Sequence, residues 1–232
     1  MNKLAAILIV CFLAVPAMAQ WPPAQPYLAG DFNGWNAAGD IMTETSPGSG
    51  IWTKSFNGWG VGERHEFKVT DGTWTNNYPG SGNSWFYIGG DGNATVTYDS
   101  TTYADGWLPV ADRIGLSVDP GSWTAVGDWQ GWVNNNPATA MVAQGGGIYK
   151  YQQVLAPGSY QYKAVFTGTW DAIGIDSRGV NSATLPFTTD AVNDTAIFWV
   201  NAATGAIKLD LVPEPATLGM LLIGGLALLR RR

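Results

Sequence analysis

The chain has 232 residues, 46% of them hydrophobic and 13% charged, with a formal net charge of −6. That apolar share is enough to build a folded core, and the acidic balance argues against nucleic acid or an anionic membrane surface as partner. One histidine, His65, and one cysteine, Cys11, argue against a Ser-His-Asp relay and against a zinc or copper site.

In chain order, residues 1–19 read as a secretory signal: Lys3, an apolar stretch from Leu4 to Val15, then Ala17-Met18-Ala19, the small-x-small pattern before a cleavage site. Cleavage leaves a chain that begins near Gln20. Cys11 leaves with the signal, and Val10 before it is too large for a lipoprotein signal. An exported domain without disulfides must then be held by its core alone. Without Lys3, Glu214 and the three terminal arginines, the stretch from Gln20 to Val212 keeps 8 basic and 17 acidic residues, a net charge of −9.

An internal repeat organises this body. Leu28-Ala29-Gly30-Asp31-Phe32-Asn33-Gly34-Trp35 returns 97 positions later as Ala125-Val126-Gly127-Asp128-Trp129-Gln130-Gly131-Trp132. In the same order, Phe67-Lys68-Val69-Thr70-Asp71-Gly72-Thr73-Trp74 matches Tyr162 to Trp170 with one extra residue, Trp52 matches Tyr149, and Thr95 to Tyr98 matches Ala196 to Trp199. Two copies of one domain are expected, over residues 20–110 and 111–211, with Ile114-Gly115-Leu116 opening the second. Each reads as β throughout, in short runs rich in Val, Thr, Tyr, Phe and Trp between Gly, Asn, Asp and Pro turns. Alternation puts Phe67 and Val69 inside with Glu66, Lys68 and Thr70 outside, and Tyr160, Tyr162, Ala164 and Phe166 inside with Gln161 and Lys163 outside. The predicted fold is all-β: two tandem immunoglobulin-like β-sandwiches flanked by the N-terminal signal and a short C-terminal hydrophobic helix.

That helix belongs to residues 212–232, where Pro213-Glu214-Pro215 precedes an apolar run of 14 residues, Ala216 to Leu229, and then Arg230-Arg231-Arg232. The run is short against the roughly 20 residues of an unaided bilayer crossing, and the arginines would hold its end on the cytoplasmic side. Tripeptide, short apolar run and arginine cluster, in that order, resemble the PEP-CTERM sorting signal. The resemblance implies processing by an exosortase-type membrane protease, after signal peptidase, and transient membrane attachment through the tail. It also implies a place on the outer surface or in the extracellular matrix of a Gram-negative-type bacterium. The alternative is an ordinary C-terminal anchor helix.

Gly-Asp-Phe-Asn-Gly-Trp, a strand ending in Phe-Lys-Val and then Asp-Gly-Thr-Trp together resemble the glycogen-binding modules of carbohydrate-binding family 48 and the N-terminal domains of pullulanases. In the second copy Leu155 to Lys163 fits that family's central hairpin. The resemblance implies a sugar site of two tryptophans, a lysine and an asparagine: Trp35, Lys68, Trp74 and Asn93 in the first copy, and Trp132, Lys163, Trp170 and Asn193 in the second. An indole can stack on the apolar face of a pyranose, and Lys and Asn can reach its hydroxyls. The other reading of these tryptophans is core, as expected for Trp52, Trp129 and Trp199.

The first copy departs from the family pattern at Asn57 to Gly62 and in an aromatic, glycine-rich loop from Asn76 to Gly90, which would extend the site or cover it. The second has Thr167 in place of Asp71 and Asp171 in place of Thr75, so its binding is less secure. His65 reads as a surface residue, and nothing in the sequence sets two carboxylates across a cleft. Asp40 or Asp91-Gly92-Asn93 could offer oxygen ligands to calcium, without the twelve-residue loop. No catalytic residue, cofactor or metal site is expected. The leading expectation is an exported, non-catalytic binder of an α-glucan or exopolysaccharide. A structural matrix protein without a sugar ligand, and an accessory subunit of a glucan-active enzyme, remain the alternatives.

Overall fold

The computed structural model describes residues 22–117, 121–190 and 195–212. The signal segment, Asn193, Pro213, Glu214, Pro215, Arg230, Arg231 and Arg232 lie outside them. Among the described residues no helix is long and apolar enough to cross a membrane, and the regular structure is β with three short 3-10 turns.

The first half contains β1 (Tyr27–Gly30), β2 (Asp40–Ile41), β3 (Thr43–Glu44), β4 (Ile51–Asn57), β5 (Arg64–Thr70), β6 (Asn77–Tyr78), β7 (Ser84–Tyr87), β8 (Asn93–Asp99) and β9 (Arg113–Leu116). One antiparallel sheet has the order β2-β1-β5, with β6 and β7 both paired to β5, and a second has the order β3-β4-β8-β9. The second half contains β10 (Trp123–Gly127), β11 (Val142–Gly145), β12 (Ile148–Val154), β13 (Gly158–Phe166), β14 (Asp171–Gly174), β15 (Ser177–Val180), β16 (Leu185–Thr189), β17 (Thr195–Asn201) and β18 (Ala206–Val212). Its sheets are β10-β13-β14-β15, with β16 on β13, and β11-β12-β17-β18. The strand Ile114-Gly115-Leu116, expected to open the second copy, is part of β9 and closes the first half's sheet against β8.

In each half two facing sheets enclose one core, a sandwich-like layering. β8 and β17 show the same strict alternation: Ala94, Val96 and Tyr98 point inward in one, and Ala196, Phe198 and Val200 in the other. Leu28, Phe67, Val69, Phe86 and Ile114 complete the first core, and Trp123, Tyr162, Ala164 and Ile207 the second. Trp129 stacks on Phe198 at 4.5 Å between ring centres. Trp199, expected in the core, lies on the outward face of β17 under the Lys150 ammonium, with its indole N–H donated to Asp210. Odd and even positions of a strand face opposite ways, so Phe198 inside requires Trp199 outside.

β7 joins the halves. Its alternation sends Phe86 into the first core and Trp85 and Tyr87 toward the second. Trp85 is fully buried, 6.0 Å from Trp123 and 5.9 Å from Phe166, and Tyr87 stacks on Phe166 at 4.6 Å. The β7 part of the Asn76 to Gly90 loop therefore packs on the neighbouring half, while Asn77 and Pro79 near its start bond Lys68. The buried Arg178 guanidinium lies 4.3 Å over the Trp85 ring and donates to the Ala202 carbonyl. Arg64 donates through Nε and Nη2 to both Asp171 oxygens at 2.6 and 2.5 Å, and Tyr87 donates its hydroxyl to the same carboxylate. Burial, with that carboxylate next to it, pushes the Tyr87 phenol up to about 12.

The connection between β8 and β9 is tied by Arg113, which donates to both Asp105 oxygens and to the Pro109 and Trp107 carbonyls. The Arg113 hydrogen bonds hold the Asp105 carboxyl down at about 2. A carboxylate whose folded value lies below its unfolded value of about 3.9 stabilises the fold above that pH, and this contribution is lost as pH falls from about 4 to about 2. Asp105 is 39% exposed, so screening keeps the contribution to about 1 kcal/mol or less. Between pH 6 and pH 3, the thermal unfolding midpoint of Asp105→Asn is expected to fall less than that of the parent chain. Equal falls would show that the pair does not couple to folding.

Candidate functional site

The repeated motif builds the same turn twice, and each of its residues has a task. Gly30 and Gly127 end β1 and β10 where a Cβ would meet the ring two residues on and the carbonyl of the neighbouring strand, Glu66 and Gln161 respectively. Asp31 accepts the Glu66 N–H at 3.1 Å and Asp128 accepts the Gln161 N–H at 2.7 Å, tying the turn to β5 and β13. Phe32 and Trp129 pack on the two cores. Asn33 bonds back to Gly30 N–H and the Leu28 carbonyl, and Gln130 to the Ala125 carbonyl. The closing Gly-Trp is left-handed at both residues in both copies: φ is 64° and 61° at Gly34 and Trp35, and 71° and 60° at Gly131 and Trp132. An aromatic residue is strained there by roughly 1–2 kcal/mol. In both copies the indole so placed stands outside the main core cluster of its half. Gly127→Ala is expected to destabilise the fold by about 1–3 kcal/mol through overpacking, read as a lower unfolding midpoint; an unchanged midpoint would refute the tight approach.

In the first half the turn sets Trp35 against Trp74, with ring centres 6.5 Å apart and planes at 39°. Trp74 is 47% exposed and Trp35 half-buried. Trp74 stands in the turn between β5 and β6, which Asp71 holds by accepting from Thr73 N–H, Thr73 Oγ1 and Asn76 Nδ2. Burial works to raise the Asp71 carboxyl, but the Thr73 and Asn76 hydrogen bonds outweigh it and hold it below its ordinary value. Lys68 is half-buried on β5, and its ammonium donates to Asn77 Oδ1 at 3.1 Å and the Pro79 carbonyl at 2.5 Å. Burial lowers its pKa. Two of its three donors are used among the described residues, leaving one N–H for a ligand.

Asn93 does not join this group. It opens β8 in the facing sheet, opposite Asn57, with its N–H on Asp91. The asparagine beside the lysine is Asn77, on the strand that follows the Trp74 turn. Sequence reasoning missed it, although its place three residues after Trp74 is a usable signal.

The second half differs. Trp132 lies half-buried on Val126, Val165 and Ala172, and donates its indole N–H to Asp128. Trp170 is 40% exposed, and its turn is held by Asn134, which donates to the Thr169 carbonyl. Lys163 was expected outside but is buried: 6% exposed, 5.4 Å from the Trp170 ring and bonded to the Ser182 carbonyl. Here the outer face of the strand is covered by Trp132 and by the chain leaving β15, so alternation no longer marks a solvent side. Burial lowers the Lys163 pKa, with Asp176 opposing.

His65 is also not a free surface residue. It pairs with Asp31 at 2.9 Å and sets its ring edge-on to Trp59 at 4.7 Å. Glu66 and Asp176, from different halves, line one cleft of about 420 Å³. Neither carboxylate is idle. Glu66 accepts from Arg64 and Asn83, and Asp176 accepts from Ser182 Oγ and Ala183 N–H.

The residues that rebuild this turn in the second half fall within a recognised domain. Residues 121–207 match the Pullulanase X25 domain family. No curated protein matches the chain. Among solved structures, SusF from Bacteroides thetaiotaomicron is similar at 14% identity and a TM-score of 0.28, over 81% of this chain and 47% of that one. A pullulanase from Bacillus acidopullulyticus is similar at 13% identity and a TM-score of 0.28, over 81% of this chain and 28% of that one. The chain thus spans about half the length of the first and little more than a quarter of the second.

Proposed function

We propose that the chain is an exported, non-catalytic protein that binds an α-glucan through immunoglobulin-like tandem modules. The observation that carries this reading is the Trp35–Trp74 pair: two indoles inclined at 39°, with Trp74 47% exposed. Inclined platforms favour a curved glucan over a flat one, because successive pyranose faces of a bent chain turn relative to each other. The X25 match over residues 121–207 supports the same ligand class. The acidic body of the chain favours a neutral glycan over an acidic exopolysaccharide. Export and sorting rest on the N-terminal signal and the Pro213-Glu214-Pro215 tail, processed by signal peptidase and an exosortase-type protease.

The buried junction around Trp85 favours a second reading, a rigid spacer of the cell surface or matrix with no sugar ligand. Calorimetric titration of the chain with glycogen and a maltooligosaccharide separates the two. Saturable binding is expected, and a folded protein that releases no heat with either glycan would leave the spacer reading.

A further inference from the structure

The cleft between the halves is walled by residues that hold both lysines, Lys68 and Lys163. On one wall Pro79 contributes the carbonyl that holds Lys68, at 2.5 Å. On the other, Ser182 contributes the carbonyl that holds Lys163, at 3.3 Å, and Asn181 donates its N–H to the Trp170 carbonyl at 3.0 Å. The walls are fixed relative to each other. Tyr78 donates its hydroxyl to the Asp176 carbonyl, Ser84 to the Arg178 carbonyl, and Val180 its N–H to the Asn83 carbonyl. The cleft is therefore preformed. Its lining is polar, with the acceptors Glu66 and Asp176 facing amide and hydroxyl groups. Such a surface suits the rim of a sugar ring rather than its face, since each hydroxyl can both donate and accept.

We infer that this cleft is a central sugar subsite, so that one glucan strand runs from Trp35 and Trp74 across the junction to Trp170. The inference rests on the glucan-binding reading and deepens it: the chain recognises a single extended oligosaccharide segment, in place of two separate short ones. Rigid alignment of the three contact zones lets the ends act at high effective concentration without the ordering cost of a flexible linker.

The test is calorimetry of the full chain with maltooligosaccharides of increasing length, on the parent and two cleft variants. Asn181→Gly removes an exposed side chain where φ is 54°, a conformation glycine adopts freely, and keeps the N–H. Ser81→Tyr fills the cleft from an exposed position. For the parent, long oligosaccharides are expected to bind one per chain, more tightly than short ones. Asn181→Gly should weaken the long ones about fivefold, the worth of one hydrogen bond, and Ser81→Tyr should abolish the length dependence. Both should leave the shortest unaffected. Two sugars per chain at every length, unchanged in both variants, would overturn the inference and leave glucan binding standing. No heat with any oligosaccharide would overturn both.

Discussion

Trp85→Ala is expected to destabilise the protein by about 3–5 kcal/mol, the usual cost of truncating a fully buried large aromatic. The indole has no exposed surface and lies among Trp123, Phe166 and Tyr87, whose ring centres are 5.7–6.0 Å away. Its removal opens a cavity in the buried seam between the halves, and takes away the aromatic face under Arg178. For a chain of this size the unfolding midpoint should drop by roughly 10 °C. If β7 makes the halves one cooperative unit, parent and variant should differ in the whole transition. Two parent transitions, only one of which shifts in the variant, would show that the halves unfold independently and that the junction is incidental.

Trp74→Ala should weaken glucan binding at least about tenfold, because losing one exposed stacking platform removes a contact of the kind that dominates small interfaces. Trp35→Ala should do the same through the other plane of the pair. Neither should cost much stability, since Trp74 is 47% exposed and Trp35 lies outside the core cluster. Trp132→Ala is the contrasting variant. Its indole covers Val126, Val165 and Ala172 and bonds Asp128, so it should lower the unfolding midpoint more than it weakens binding. Titration and thermal unfolding of the three variants give both readouts. Equal binding by all three would remove the tryptophans from the site.

The all-β class and the inward Phe67 and Val69 of β5 were legible in sequence, because strand alternation is a local consequence of the pleat, whereas the face of β17 was misread at Trp199. The repeated turn was legible for the same reason: its glycines, its aspartate and its left-handed tryptophan satisfy requirements within a few residues or on the adjacent strand. Where alternation was taken to mean exposure, it failed at Lys163, because a strand reports which residues share a face but not what covers that face. Asn93 was assigned by the resemblance to glycogen-binding modules, yet antiparallel pairing puts it in the facing sheet and leaves Asn77 by the lysine.

The sequence by itself determined the strand content, the turn chemistry and the residue types from which a sugar site can be made. Only the tertiary structure decided that Ile114 to Leu116 closes the first sheet, that Trp85 crosses into the second core, and that the Arg64–Asp171 pair spans 107 positions. These are non-local contacts, set by how two sheets present their faces and edges to each other. No periodicity or spacing within one strand encodes that.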